Sequence, residues 1–315
     1  MTSPVLFCSV NIDIGRGDVN LSLASTDIDV HRHLAAYAVN CLFGGVSFAV
    51  NARPADRAVF SGETILRSDG HDRRATHSKL FVVTAFTLAR RSKLTAMYVG
   101  AEGEAVLESP AAFEHPEHLV DLAASIPFAP AYTSTGGYPG LRASLPDYYI
   151  RTVVEALAGP ISEAFSLGRI RPVKAEGAFS LVTLPGDALS TAQRAPHVDS
   201  TNPHQFAILH YLCDEAFGGT SFFRHRATGF ETLSEHRLAT YRTHRATEGV
   251  AAGYVDDGAP WFEPTARVSA GFNRLVAYRS CVLHSGHVPA STMLSPDPRS
   301  GRLTANVFVT FASVS

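Results

Sequence analysis

The sequence predicts a mostly β fold with flanking helices (α+β), organised around a double-stranded β-helix of the jelly-roll or cupin type with an N-terminal extension. Three observations support this fold class. Short strand-like runs follow one another closely after residue 178, Gly, Pro and Asp turns separate them, and a single helical stretch at 234–247 interrupts them. The runs span residues 179–184, 206–213, 220–223, 275–278, 281–288 and 303–311.

Length and composition agree with one elaborated barrel domain and an added lobe. The chain has 315 residues, of which 45% are hydrophobic and 18% are charged, so a sizeable core can form. Residues 111–315 are predicted to form the β-helix domain with helical support, because amphipathic patterns at 114–125 and 148–165 precede the strands. The second helix is expected to break at Gly159-Pro160. Residues 1–110 are predicted to form an N-terminal lobe without a recognisable chemical motif.

Charge and cysteine content argue against several classes of partner. The formal net charge of −2 argues against nucleic acid, since phosphate binding needs clustered, unpaired Lys and Arg. No run approaches the ~20 consecutive apolar residues of a membrane span, and the pattern of the first ten residues does not predict a secretory signal. The four cysteines show no zinc-type spacing. We therefore expect a cytoplasmic protein without nucleic-acid or membrane partners, and the sequence is compatible with a homodimer.

Two histidines and one aspartate give the strongest chemical signal. His197 and Asp199 are two positions apart, so along an extended strand their side chains project to the same face. His284 follows a second apolar run, predicted as one strand over 273–283. Two imidazoles and one carboxylate are the ligand set that holds ferrous iron on one face and leaves the other coordination positions open. We interpret these three residues as catalytic metal ligands.

His287 is the alternative third ligand. Its odd separation from His284 sends the two side chains to opposite faces of a strand, so only one of them can face the metal. Because His287 follows Gly286 and is expected in a turn, the pattern favours His284.

The last strand offers a cation for a dicarboxylate. Arg302 and Thr304 share one strand face. A guanidinium binds a carboxylate through two parallel hydrogen bonds, and a neighbouring hydroxyl adds a third, which suits the distal carboxylate of 2-oxoglutarate. Tyr211 is a further candidate donor, although a buried tyrosine needs a hydroxyl partner in either case. A surface salt bridge is the structural alternative for Arg302.

Four residues are candidates for contact with the substrate. Tyr138 and Arg142 lie in a segment whose glycines and proline predict a loop, and loops near a barrel mouth often contact ligands. Arg224 and Arg226 follow a Gly-Gly turn and could recognise a carboxylate or a phosphate. The alternatives are a surface turn that joins two helices and solvated charges at a strand exit.

One set of motifs carries a family resemblance. It comprises the segments at 138–142, 193–200, 209–212, 218–226, 228–231, 278–286 and 301–306. This set resembles a bacterial family of largely unassigned function, which looks like a branch of the prolyl-hydroxylase-like 2-oxoglutarate/Fe(II)-dependent dioxygenase superfamily. The resemblance covers about residues 108–312 and does not extend to the first hundred residues.

The resemblance implies a 2-oxoglutarate-dependent non-haem iron oxygenase. His197, Asp199 and His284 take the metal positions, and Arg302 takes that of the cosubstrate arginine. The implied cofactors are Fe(II), 2-oxoglutarate as cosubstrate and O2. Related halogenases lack the carboxylate, so Asp199 favours hydroxylation or another oxidation over halogenation. The reaction we expect is hydroxylation of an unactivated C–H in a small amino-acid-like or peptide-like substrate, with release of succinate and CO2. The alternative is a cupin-like metal-binding protein or metalloenzyme that does not use 2-oxoglutarate.

Overall fold

The structure is a computed structural model of the chain, and it describes residues 8–13, 18–23, 89, 94–255 and 259–314. The chain divides into two compact units, Met1–Ala85 and Phe86–Ser315. In the first unit, strands β1 (Cys8–Asp13) and β2 (Asp18–Leu23) form an antiparallel pair. The rest of that unit, and with it most of the predicted N-terminal lobe, lies outside the described residues.

An eight-stranded antiparallel sheet is the centre of the second unit. Its strands are β3 (Thr95–Val99), β4 (Glu104–Ser109), β5 (Ala129–Thr133), β6 (Gly136–Ser144), β7 (Ile170–Val182), β8 (Gln205–Tyr211), β11 (Leu275–Arg279) and β13 (Arg302–Ser313). In space they follow the order β3-β4-β11-β8-β13-β7-β6-β5. We call this the large sheet.

A second sheet of three antiparallel strands has the order β10-β9-β12. Its strands are β9 (Gly219–His225), β10 (Phe262–Ser269) and β12 (His284–His287), and we call it the small sheet. From β8 onward the chain passes from one sheet to the other, with β8, β11 and β13 in the large sheet and the strands between them in the small one. This crossing between two sheets is the double-stranded β-helix that the sequence predicted.

Two helices cover one face of the large sheet. They are α1 (Glu117–Ser125) and α2 (Asp147–Ala164), close to the predicted positions. Their buried side chains pack against the sheet in one hydrophobic cluster that includes Leu119, Ile161 and Phe179. No helix in the described part of the chain is long and apolar enough to span a bilayer.

Side chains of β13 alternate between the helical face and the face that meets the small sheet. Leu303 and Ala305 belong to the cluster beneath the helices. Arg302 and Thr304 therefore point to the opposite face, because successive side chains of a strand leave it on opposite sides. A second hydrophobic cluster joins the two sheets there and includes Tyr211, Phe222, Val268 and Tyr278. The polar residues of β13 thus enter the space between the sheets.

The outer face of the small sheet has its own apolar cover. A third cluster includes Phe223, Phe262 and Leu283, and Leu238 and Tyr241 pack against it. Both of these come from helix α3 (Glu235–Arg245), which confirms the helical insertion predicted at 234–247.

The predicted single strand over 273–283 is wrong in one respect. The structure divides this stretch between the sheets, with β11 ending at Arg279 and β12 starting at His284. Between them the chain crosses from the large sheet to the small one, and Val282 pairs with Thr232 on the way. An apolar run cannot reveal this crossing, because the buried connection at 280–283 continues the apolar pattern of β11.

The domain boundary also differs from the expected one at residue 110. Strands β3 and β4 precede that residue, yet β4 pairs with β11 inside the large sheet. They therefore belong with the barrel rather than with an N-terminal lobe, in agreement with the division after Ala85.

Helix α2 continues through Gly159-Pro160, where the sequence predicted a break. Proline at position 160 removes one donor, which would otherwise bond to the carbonyl of Ala156. The helix persists because its apolar stripe is buried on both sides of the proline, from Val153 and Leu157 to Ile161. Tertiary packing outweighs the local preference here.

Replacing Pro160 with Ala restores the missing donor. We expect the free energy of unfolding to rise by about 1–2 kcal/mol, less than the ~3 kcal/mol cost of an interior proline, because proline also restricts the unfolded chain. Urea unfolding followed by circular dichroism measures the change. Gly159→Ala, which places a Cβ in open space, is the matched variant and is expected to add about 0.5–1 kcal/mol. A less stable Pro160→Ala protein would contradict this account.

Candidate functional site

Backbone pairing brings the two halves of the predicted metal site together. His197 and His284 exchange two backbone hydrogen bonds of 2.9 Å each, as an isolated antiparallel bridge. The backbone N–H of Asp199 donates to the carbonyl of Ser280 at 2.9 Å. Main-chain hydrogen bonds therefore fix the segment before β8 to the part of the chain that enters β12.

The three predicted ligand side chains converge. Nε2 of His197 lies 3.8 Å from Oδ1 of Asp199, and Nε2 of His284 lies 3.6 Å from Oδ2. One ligand atom from each residue lies within 4.8 Å of the other two. Such a group of two imidazoles and one carboxylate suits a divalent transition metal bound on one side.

The carbonyl of Val282 orients His284. It lies 2.9 Å from Nδ1, and since a carbonyl only accepts, Nδ1 carries the proton. The lone pair of the ring is then on Nε2, the atom that faces Asp199. Metal-binding histidines are commonly oriented by such a contact to their second nitrogen.

The site is closed on one side and open on the other. The side chain of His284 is 8% exposed and that of Asp199 19%, whereas 54% of His197 is exposed. Tyr278 packs edge-on against the His284 ring.

His287, the alternative ligand, is the last residue of β12 and pairs with Gly219. The sequence predicted that His287 lies in a turn, and this prediction is wrong. The convergent group contains His284 and not His287. The odd separation places the two side chains on opposite faces of β12, as the sequence argument required.

A second group of possible ligands occurs at the start of α1. His115, Glu117 and His118 bring their ligand atoms within 4.8 Å of one another. The sequence did not predict this group. His115 and Glu117 are both more than half exposed and lie 3.0 Å apart, which makes them a local ion pair at the helix start when the histidine is protonated.

Arg302 is buried between the sheets rather than at the surface. Only 5% of it is exposed. Nε donates to the carbonyl of Phe217 at 2.9 Å, and Nη2 donates to that of Gly219 at 2.7 Å. These bonds fix the plane of the guanidinium. The structure therefore does not support the alternative of a surface salt bridge.

Arg302 also lies close to the metal ligands. A Cβ placed on Gly286 would lie 3.9 Å from its Nη2. Gly286 is two residues beyond His284 in β12, and residues two apart share a strand face about 6.8 Å from each other. The guanidinium of Arg302 is thus separated from His284, the third ligand, by about one two-residue repeat of a strand.

Tyr211 and Thr304, the other predicted cosubstrate residues, already have protein partners. The Tyr211 hydroxyl lies 2.6 Å from the hydroxyl of Thr220, and Thr304 donates to the carbonyl of Ser180 over 3.4 Å. Both lie on the face that carries Arg302. The structure brings all three together, and it gives Tyr211 the hydroxyl partner that a buried tyrosine needs.

Tyr138 was expected in a loop at the substrate entrance, but it lies in strand β6. Its hydroxyl oxygen is buried, and in the described region it completes no hydrogen bond. Burial raises its pKa, and the nearby guanidinium of Arg302 and then that of Arg142 act against this, as does the facing Thr304. The phenol therefore points into the Arg302 pocket, which sequence reasoning missed.

Arg142 also lies in β6 instead of a loop. Pairing with β7 makes this segment a strand despite its glycines and proline. The guanidinium of Arg142 lies over the Tyr138 ring, 4.7 Å from its centre, and its Nε donates to the Ser180 hydroxyl at 3.2 Å. It is half-buried.

Arg224 and Arg226 are occupied by acidic partners. Arg224 donates to Glu231, which also accepts the backbone N–H groups of Ala101 and Glu102. Glu263 lies 3.5 Å from Arg224 and 4.0 Å from Arg226. These ion pairs give Arg224 a structural role, because they join the turn between β3 and β4 to strand β9. The structure brings neither arginine into contact with the metal ligands or Arg302.

Removal of any one converging ligand should abolish tight metal binding. We expect Ni(II) affinity to fall at least about 100-fold in His197→Ala, Asp199→Ala and His284→Ala, beyond the 10- to 100-fold effect of outer-shell changes. Isothermal titration calorimetry measures it. His287→Ala is the matched control and should bind Ni(II) like the parent protein. Equal losses in His287→Ala would contradict the assignment.

Comparison with solved structures finds distant matches. HygX from Streptomyces hygroscopicus, with nickel and 2-oxoglutarate bound, matches with a TM-score of 0.40 and 13% identity over 66% of this chain and 84% of that chain. EvdO2 from Micromonospora carbonacea var. aurantiaca, complexed with 2-oxoglutarate, matches with a TM-score of 0.38 and 14% identity over 71% and 96%. The non-heme alpha ketoglutarate dependent epimerase SnoN from nogalamycin biosynthesis matches with 0.39 and 14% over 67% and 78%.

Comparison with curated proteins finds no match. A protein family does match, over residues 90–309, and its span includes both sheets, the three converging ligands and Arg302. The expectation of a family of unassigned function is thereby confirmed. The chain belongs to DUF6445, a family of unknown function.

Proposed function

We propose that this protein is an Fe(II)/2-oxoglutarate-dependent dioxygenase. The reaction we favour is hydroxylation of an unactivated C–H in a small amino-acid-like or peptide-like substrate, with release of succinate and CO2. One observation carries the proposal: a His-Asp-His group and a buried guanidinium lie about one strand repeat apart on the same side of a barrel.

The three ligands would hold the iron from one side. His284 is fixed by its contact with Val282, and Asp199 is fixed by its backbone bond to Ser280. The exposed side of His197 leaves room for further ligands. Such a facial set of ligands with open positions is typical of non-haem Fe(II) oxygenases.

Arg302 would bind the far carboxylate of 2-oxoglutarate. Two of its N–H groups are held by backbone carbonyls, so its position is set before any ligand arrives. In the described region no acidic side chain neutralises it, which leaves its charge for an anion. The buried hydroxyl of Tyr138, which lies beside Thr304 and Arg302, would supply a second donor.

When bound together, iron and 2-oxoglutarate supply oxidation by O2 coupled to decarboxylation of the cosubstrate. The task of this chain is then orientation and exclusion of water. Tyr278 and Phe222 pack edge to face behind His284 and close the inner side of the site. Two free, buried thiols, Cys213 and Cys281, support our placement of the protein in the cytoplasm.

A metal-dependent protein of cupin type that does not use 2-oxoglutarate is the second candidate. The observation in its favour is that the two carbonyl contacts give Arg302 a structural task of its own. Both candidates keep the three metal ligands, so the role of Arg302 decides between them.

Replacing Arg302 tests the proposal. In an anaerobic titration of the Fe(II)-loaded protein, 2-oxoglutarate should bind to the parent, and Arg302→Gln should weaken this binding at least about 10-fold, since hydrogen bonds to charged groups contribute about 1.5–3 kcal/mol. Arg302→Lys keeps the charge and should show a smaller loss. Unchanged Ni(II) affinity confirms that each variant is folded. Binding of 2-oxoglutarate that is indifferent to both substitutions would favour the second candidate.

Replacing Tyr138 identifies the second donor. Tyr138→Phe should raise the dissociation constant of 2-oxoglutarate about 3- to 10-fold, because one hydrogen bond contributes about 0.5–1.5 kcal/mol. Tyr211→Phe is the matched comparison and should have a smaller effect, because the Tyr211 hydroxyl already bonds to Thr220. The same titration measures both variants, and a larger effect of Tyr211→Phe would reverse the assignment.

A further inference from the structure

We propose that the substrate of this protein carries a carboxylate, and that Arg142 binds it. This inference rests on the proposed function, because it concerns a second ligand in the site that holds the metal and 2-oxoglutarate. It names both the chemical class of the substrate and the residue that selects it.

The sheet register places Arg142 beside the cosubstrate pocket. Arg142 of β6 lies opposite Ser180 of β7, Ser180 lies opposite Thr304 of β13, and Thr304 lies opposite Tyr211 of β8. Residues directly opposite each other in antiparallel strands share a face of the sheet. Arg142 therefore projects from the side of the large sheet that faces the small sheet, two strands from Thr304.

The guanidinium of Arg142 is held from two directions. Its Nε donates to the Ser180 hydroxyl, and its central carbon lies over the ring of Tyr138. Since Tyr138 points towards Arg302, Arg142 and Tyr138 are directed at the same pocket. A guanidinium fixed in this way loses little freedom on binding a ligand and is ready to accept a planar carboxylate.

The terminal nitrogens of Arg142 are left without a protein partner in the part of the chain that the structure describes. Seven other arginines there lie within 4.0 Å of a carboxylate: Arg224, Arg226, Arg237, Arg245, Arg274, Arg279 and Arg299. Arg142 and Arg302 differ from these, since neither has an acidic partner among the described residues although both are at least half-buried. An anionic ligand would supply the counter-charge that these two side chains lack.

Charge balance assigns the two arginines to different ligands. The two positive charges of Fe(II) are offset by Asp199 and the near carboxylate of 2-oxoglutarate. The far carboxylate offsets Arg302. Arg142 remains as one uncompensated positive charge, so a third anionic group completes the site. Because the bound cosubstrate has no further charge to offer, that group belongs to the substrate.

The test uses the protein loaded with Ni(II), which keeps the metal site filled, and saturated with 2-oxoglutarate. The probes are a panel of monocarboxylic acids that includes N-acetyl amino acids, each with its primary amide as neutral partner. Ligand-observed NMR identifies binding, and titration gives dissociation constants. The variants are Arg142→Gln and Arg142→Lys, with Arg151→Gln as matched control, because Arg151 is exposed on α2.

We expect acids to bind and their amides to fail. Arg142→Gln should weaken acid binding at least about 10-fold, as expected for loss of a hydrogen bond to a charged group. Arg142→Lys should retain part of the affinity, and Arg151→Gln should retain all of it. The affinities for Ni(II) and 2-oxoglutarate should stay within about twofold in every variant, which also shows that each is folded.

Four results would overturn the inference: amides that bind as well as acids, acid binding that Arg142→Gln leaves unchanged, no binding by any acid, or loss of 2-oxoglutarate binding in Arg142→Gln. The last result would place Arg142 in the cosubstrate site and leave the proposed function standing. Failure of the parent protein to take up 2-oxoglutarate, measured before any acid is added, would instead refute the proposed function itself.

Discussion

The two backbone hydrogen bonds between His197 and His284 are the contact on which the site depends. They join the segment that precedes β8 of the large sheet to a strand of the small sheet, across 87 positions of sequence. Main-chain bonds of this kind do not depend on the identity of the side chains. The position of the imidazoles and the carboxylate is thereby set by main-chain pairing between the segment before β8 and strand β12.

A buried cation is the second constraint. Arg302 lies inside a barrel lined by tyrosines and apolar side chains, and the charge of a guanidinium is expensive to bury without compensation. Two backbone carbonyls satisfy part of its hydrogen-bonding capacity but do not neutralise its charge. The folded interior therefore contains a positive charge that no acidic side chain among the described residues neutralises, and an anionic ligand would neutralise it. Arg142, in strand β6, adds a second positive charge without an acidic partner among the described residues.

Much of this could be predicted from the sequence. The two-residue repeat of a strand predicts that His197 and Asp199 share a face. The same repeat turns Arg302 and Leu303 to opposite faces of β13. The loop predicted around Tyr138 fails for a physical reason: its glycines and proline lower strand propensity, but pairing with β7 supplies the hydrogen bonds that the isolated segment lacks. Neither the register that brings Tyr138 to Arg302 nor the acidic partners of Arg224 leave a local signal, because each contact joins residues from different parts of the chain.

The unequal exposure of the three ligands has a kinetic consequence. Two of them are held from behind by the barrel, while His197 stands at the rim with more than half of its side chain in solvent. With a metal bound by these three residues, water would reach the bond to His197 before it reached the other two. Metal exchange would then follow a fixed order. The bond to His197 would break first and re-form last, and Asp199 and His284 would retain the ion long enough for rebinding.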